Sequence, residues 1–206
     1  MIKKISISLI TLFIASCSST RDQGSLTKYE RSIEKYRNHI HSEHLTDEGP
    51  FKTEEQRSSF IGFKYFKTDE QYKVQASLQP FNEVDTIIMK TSSGKDRPYL
   101  RYAEINFNLK SKDHTLILFK SAGDNAHYFL PFTDETSGEL SYGGGRYLDL
   151  DAKKDIPNTL EIDFNKAYNP YCAYVDGYSC PIPPSENHVN TAIEAGVQYQ
   201  KSVFSK

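Results

Sequence analysis

Residues 105–119 read Ile105-Asn106-Phe107-Asn108-Leu109-Lys110-Ser111-Lys112-Asp113-His114-Thr115-Leu116-Ile117-Leu118-Phe119. Ile105, Phe107 and Leu109 alternate with asparagines, the period of a half-buried strand. The polar stretch Lys110–His114 then turns the chain, and Thr115–Phe119 is an apolar run of strand length; together they predict a β-hairpin. The same period appears upstream, where Tyr72, Val74, Ala76 and Leu78 alternate with Lys73, Gln75 and Ser77. Val84 to Lys90 is rich in strand formers and ends at the turn Ser92-Ser93-Gly94. His127–Phe132 and Leu160–Phe164 read as further strands. Short strands with turn residues between them predict a mainly β (α+β) fold, an antiparallel β-sandwich or a small barrel.

Before the strands the period changes. Leu26, Tyr29, Ile33, Tyr36 and Ile40 recur at three and four residues, one apolar stripe on a helix. Thr27 with Glu30 fits a capping box at its start, and Gly49-Pro50 ends it. Thr53-Glu54-Glu55-Gln56 repeats the capping pattern and opens a second, short helix. The first helix is expected to pack on one face or one end of the sheet. His39, His41 and His44 lie on it, but each residue turns the helix by about 100°. Only His41 and His44 therefore share a face. Two ligands make a poor metal site, so no metal is expected and the histidines read as a solvated helix edge.

The extreme N-terminus carries a different message. Lys3 and Lys4 precede an apolar run, Ile5 to Ala15, and then Ile14-Ala15-Ser16-Cys17. A charged start, a short apolar stretch and small residues before a cleavage point make a secretory signal. The run is about half of the roughly 20 residues that a membrane span needs. A cysteine directly after small residues is the pattern at which bacterial lipoproteins are lipidated and cut. The expected organisation is a signal peptide at 1–16, a polar tether at 17–24 beginning with lipidated Cys17, and one domain over 25–206. Lipid on Cys17 makes the membrane a partner without a spanning helix. Ser18, where an aspartate would favour the inner membrane, points to the outer membrane, facing the periplasm.

Charge and cysteine use narrow the rest. Loss of Lys3 and Lys4 makes the formal net charge of −2 more negative by two, and no basic run is present, which argues against nucleic acid. Of three cysteines, lipid consumes Cys17 and leaves Cys172 and Cys180. In an oxidising compartment two neighbouring thiols are expected to pair. Unpaired, Cys172 would be a candidate nucleophile, with His188 or His127 as its base.

The polar and aromatic residues concentrate in 131–188. Gly143-Gly144-Gly145 can bring backbone N–H groups close to an anion, and Arg146 follows with a planar fork suited to carboxylate or phosphate. The opposing reading is a tight turn into a strand, with Arg146 paired to Asp149 or Asp163. Asp163 and Asn165 sit on the polar face of the Leu160–Phe164 strand and could complete a pocket. Tyr168, Tyr171, Tyr174 and Tyr178 surround the cysteine pair and suit either a sugar- or peptide-binding face or packing around a closed loop. Glu186 with Asp134 or Asp163 could form an acid–base pair.

This segment resembles the bacterial family of unknown function DUF1684. The likeness rests on Pro131-Phe132-Thr133-Asp134, Thr136-Ser137-Gly138, Tyr142 to Asp149, Asp163-Phe164-Asn165, Ala167 to Tyr174, Cys180-Pro181, Pro183-Pro184 and Glu186-Asn187, and weakly on residues back to about Phe60. His188 stands where the family commonly has arginine, and Val197-Gln198 where it commonly closes with Glu-Lys. The resemblance implies a shared fold and a shared site but no reaction and no cofactor. Three functions follow as expectations: a module binding a small polar or anionic ligand at the Gly143–Arg146 loop, a periplasmic hydrolase, or an interaction protein with no small-molecule site. Convergence of Arg146, Asp163, Asn165 and Glu186 in one pocket would favour the first two; their scatter into separate buried pairs would favour the third.

Overall fold

The computed structural model of the chain describes residues 26–121, 127–150 and 158–205. The expected signal peptide, the tether and Cys17 lie outside them. Two helices come first, α1 (Lys28–His44) and α2 (Glu54–Ser59). Both begin with the capping boxes read from sequence, Thr27 with Glu30 and Thr53 with Gln56. α1 stops at His44, earlier than Gly49-Pro50, and turns carry the chain onward.

Eight strands follow: β1 (Lys73–Pro80), β2 (Thr86–Lys90), β3 (Asp96–Leu109), β4 (Lys112–Ser121), β5 (Tyr128–Asp134), β6 (Arg146–Leu150), β7 (Thr159–Asp163) and β8 (His188–Val189). They form one curled, mainly antiparallel sheet in the order β6-β5-β4-β3-β1-β7, a half-barrel with α1 packed on it. β2 lies beyond β1 along the same edge of the long β3, and β8 adds in parallel to β5. The β3–β4 hairpin is tighter than its polar stretch implies. Only Lys110 and Ser111 lie outside the strands, both at positive φ (51° and 62°), the two-residue turn whose twist matches a right-twisted hairpin.

The curl divides the apolar residues into two clusters. The larger includes Ile105, Phe107, Leu116, Leu118, Leu130, Phe132, Leu148 and Phe164, closed by Ile193 and Ala195 from the C-terminal segment. The smaller, on the other face, holds Met89, Ile117, Phe119, Phe129 and Tyr147, with Tyr99 and Tyr168 against it. A β-bulge makes the two faces share β3. Arg101 pairs with Phe119 and Ala103 with Leu118, leaving Tyr102 without a partner of its own. The extra residue reverses the alternation. Ala103, Ile105 and Phe107 face the larger cluster, whereas Tyr99 joins the smaller one.

β4 and β5 pair directly only at Phe119–Phe129 and Lys120–Tyr128. Where they part, Pro131 has no N–H to offer. Buried Asn187 fills the gap: it accepts from Ile117 N–H (2.8 Å) and donates to the carbonyls of Ile117 (2.9 Å) and Pro131 (2.8 Å). One side-chain amide thus stands in for a length of backbone ladder.

Candidate functional site

Arg146, Asp163, Asn165 and Glu186, whose convergence would mark a ligand pocket, do not meet in one. Arg146 opens β6, and in Arg146-Tyr147-Leu148-Asp149-Leu150 strand alternation turns it inward with Leu148. Its side chain is 0% exposed and pairs with Asp134, also 0% exposed, at 3.0 Å. The same guanidinium donates to the carbonyls of Ile193 (2.8 Å) and Ala195 and to the Thr136 hydroxyl (3.4 Å). Burial lowers the Arg146 pKa, and Asp134 opposes that shift. Asp134 in turn accepts from the N–H groups of Thr136 (3.2 Å) and Ile193 (2.8 Å). Arg146 is thus an internal clamp on the C-terminal segment, with no face open to a ligand. Its partner is Asp134, not Asp149 or Asp163.

The last of the glycines before it serves the same packing. Gly145 has φ +86°, and a Cβ there would lie 2.7 Å from the Phe132 carbonyl and 2.6 Å from the Pro183 ring. Its N–H is bonded to the Tyr142 carbonyl (3.0 Å). Gly145 is thus a close-packed turn residue leading into β6, and its N–H is not free for an anion.

Asp163 and Asn165 do meet, but under α1. β7 ends at Asp163, so the alternation that would turn both toward solvent stops there. The Tyr29 hydroxyl donates to Asp163 (2.9 Å) and accepts from the Asn165 amide (2.8 Å). Asn165 also bonds both the N–H (3.0 Å) and the carbonyl (2.8 Å) of Asp69. The cluster docks the helix. Glu186 lies elsewhere, paired at the surface with Arg101 at 3.1 Å. With Asp134 sealed in the core, Asp163 held under α1 and Glu186 on the surface, neither candidate acid–base pair assembles.

His44 also departs from expectation. It is buried, edge-on to Phe63 (4.7 Å) and Tyr171 (5.4 Å), with Nδ1 2.8 Å from the Ile40 carbonyl. His41 stacks on Phe60 and His39 pairs with Glu43. Among the described residues no group of three or more side chains could hold a metal.

A cleft forms instead over the smaller cluster. Its volume is about 340 Å³. The floor is Tyr99, Phe129 and Tyr147 from the sheet, with ring centroids 5.3 Å apart for Tyr99–Phe129 and 4.8 Å for Phe129–Tyr147. The facing wall is the segment from Tyr168 to Pro181, which contributes Tyr168, Pro170, Tyr171, Tyr178 and Cys180. Cys172 and Cys180 are joined by a disulfide that closes this wall, and the Ser92 hydroxyl lies 3.0 Å from the Cys172 sulfur. Cys172 therefore has no free thiol. The Tyr147 hydroxyl donates to the Pro181 carbonyl and ties wall to floor.

One arginine, one histidine and one carboxylate look into the cleft: Arg97, His127 and Asp149. The register Phe129↔Asp149 and the outward alternation of β6 place Asp149 beside the aromatic floor. The Tyr168 hydroxyl donates to one Asp149 oxygen, and His127 Nε2 lies 3.3 Å from the other. The Asp149 side chain keeps 46% of its surface open along the cleft. The surrounding rings still crowd it enough to raise its carboxyl above the ordinary value, against the pull of Tyr168 and His127. Burial also raises the hydroxyls of Tyr99, Tyr147, Tyr168 and Tyr171, so these phenols keep their protons at neutral pH.

Sequence reasoning passed over Arg97, Tyr99 and Phe129 as site residues. The bulge that turns Arg97 and Tyr99 to this face has no sequence signature. Phe129 and Asp149 were reachable only through the β5–β6 register.

A half-barrel carrying an aromatic cleft beside a buried arginine clamp is the frame that this fold and site define. The model of the family of proteins of unknown function DUF1684 matches residues 58–198, and the chain belongs to that family. A solved structure similar to it is the solution NMR structure of an uncharacterized protein of Haloarcula marismortui. That protein is 35% identical, with a TM-score of 0.64, over 82% of this chain and 94% of that one. No curated protein matches the chain. The matched region contains both the Arg146 clamp and the cleft. α1 and α2 up to Gln56-Arg57 precede it.

Proposed function

We propose that this protein is a lipid-anchored component of the bacterial cell envelope, facing the periplasm, that binds a small polar or anionic molecule. The binding site in this reading is the aromatic cleft, not the Gly143–Arg146 loop. One observation carries it: Arg97, His127 and Asp149 converge on a cavity of about 340 Å³ walled by tyrosines. Small-molecule sites have this character, mostly apolar walls with a few convergent polar groups, in volumes of roughly 300–1,000 Å³. The anchor rests on the charged start, the short apolar run and Cys17. The Cys172–Cys180 disulfide supports an oxidising compartment. No helix among the described residues is long and apolar enough to cross a membrane.

Two experiments test the two halves. Cys17→Ser should move the protein from the membrane to the soluble fraction; retention on the membrane would overturn the anchor. A thermal-shift screen of the full chain in detergent, against sugars, nucleotides, organic acids and cell-wall fragments, should yield a compound that raises the melting temperature. Its effect should vanish in Tyr171→Ala with Arg97→Ala. Compounds that stabilise both forms equally would move the site away from the cleft.

A further inference from the structure

The polar groups of the cleft are unequally committed, and the difference bears on what they bind. Both oxygens of Asp149 are engaged, one by the Tyr168 hydroxyl and one by His127 Nε2 at 3.3 Å. Holding the ring by Nε2 leaves Nδ1 for another partner, and Nδ1 has none among the described residues. Arg97 is exposed and has no carboxylate partner among the described residues. The Tyr171 hydroxyl is likewise unengaged among them and keeps its proton. Asp149 is already paired within the protein, so the groups in the cleft that lack a partner of their own among the described residues are chiefly a guanidinium fork, a histidine edge and a phenol. Such a wall complements an acceptor-rich, negatively charged group, and arginine matches carboxylate and phosphate in a planar, two-bond fashion. The rest of the surface is aromatic and suits the flat face of a ring.

We infer that the ligand is a ring-bearing organic anion, a carboxylate or a phosphate. Its charge lies at Arg97 and His127, and its ring lies against Tyr99, Tyr147 and Tyr171. This inference rests on the reading of the cleft as a binding site. A rival ligand chemistry uses the same walls: an organic cation enclosed by aromatic rings and neutralised by Asp149.

Isothermal titration of the full chain in detergent separates the two. The probes are benzoate, phenyl phosphate, neutral benzyl alcohol and the benzyltrimethylammonium cation. The anions should bind at least about ten-fold more tightly than the alcohol, as expected for a charge-assisted hydrogen bond. Arg97→Ala should weaken them about ten-fold or more and His127→Gln less, with the weak binding of the alcohol unchanged in both. Phenyl phosphate far tighter than benzoate, or the reverse, selects between the two anion sources. Preferred binding of the cation, lost in Asp149→Asn, would overturn the anionic class and keep the cleft as the site. Anion binding indifferent to both Arg97→Ala and His127→Gln would overturn the placement. Absence of any ligand, from these probes and from the wider screen, would overturn the cleft reading itself.

Discussion

Replacement of Arg146 by methionine separates the two roles that the sequence allows it. The guanidinium makes a 3.0 Å ion pair with Asp134 and holds two backbone carbonyls of the C-terminal segment, those of Ile193 and Ala195. Methionine refills much of the volume but satisfies none of these acceptors. Asp134 would keep its bonds from Thr136 and Ile193 and lose its only cationic partner among the described residues. Removing one member of a buried pair costs about 3–5 kcal/mol. For a domain of about 150–250 residues each kcal/mol moves the melting temperature by about 2–4 °C. The expected fall is therefore about 6–20 °C, read by calorimetry or by circular dichroism on the full chain. Protein that remains folded at low temperature should still bind a cleft ligand with its parental affinity. Arg97→Ala is the mirror image: a melting temperature near the parent and weakened binding. An Arg146→Met variant that melts within about 2 °C of the parent but no longer binds ligand would refute the assignment of Arg146 as an internal clamp.

Three further outcomes follow from the geometry. Converting Cys172 and Cys180 to serine opens a loop with a sequence separation of 8. It should cost about 2–3 kcal/mol in denaturant unfolding and weaken any cleft ligand, since the loop is one wall of the site. Tyr29→Phe removes one donor to Asp163 and one acceptor from Asn165. The loss should be about 1–3 kcal/mol, with hydrogen exchange in α1 accelerated first; unchanged exchange there would mean the helix is held by its apolar stripe alone. Burial lowers the His44 pKa below its ordinary 6.5, against the weaker upward pull of the Ile40 carbonyl and Glu43. The unfolded chain therefore takes up this proton at higher pH than the folded one. The His44 contribution is intact above about pH 6.5 and is lost as the pH falls from there toward the folded pKa. His44→Gln should flatten that part of the stability–pH curve, and an unchanged curve would place the sensitivity in other groups.

Much of the fold was legible because its signals are local. The capping boxes at Thr27 and Thr53 and the alternation in β1 and β3 each depend on a few adjacent residues. The site was less legible because it depends on pairings across the sheet. Arg146 illustrates the difference. Its neighbours Leu148 and Leu150 mark an inward face, so the strand pattern alone puts a charge in the core, and such a charge needs a buried partner. Which acid answers is set by the β5–β6 pairing, where Phe132↔Arg146 brings Asp134 within reach. Asp163 shows the converse: its strand face is polar by pattern, yet a helix more than a hundred residues earlier in the chain covers it. The burial of His44 is hidden from the sequence for the same reason. Its apparent solvated edge is closed by Phe51, Phe63, Tyr171 and Tyr174, whose arrival depends on the whole fold.

The motif-rich run from Tyr142 to Asn187 is better understood as two interleaved sets of residues than as one site. Arg146, Asp163, Asn165 and Asn187 face inward or beneath α1 and fasten segments that the sheet ladder leaves loose. Tyr147, Asp149, Tyr168, Tyr171 and Cys180 look the other way, into the cleft. On β6 the two sets occupy successive positions, Arg146 inward and Tyr147 outward, so the strand that locks the core also sets the floor of the cleft. α1 joins both sets. Its Tyr29 closes the Asp163–Asn165 cluster near one end, and its His44 packs against Tyr171 and Tyr174 at the other, behind the disulfide wall. The helix nearest the expected lipid anchor therefore braces the wall of the cleft, although it precedes the region that the family model matches. If that brace matters to binding, His44→Gln should alter ligand affinity as well as the pH dependence of stability, whereas Tyr29→Phe, near the far end of the same helix, should alter stability alone. Equal effects of both variants on affinity would mean that α1 acts by holding the whole domain together and not by supporting the cleft wall.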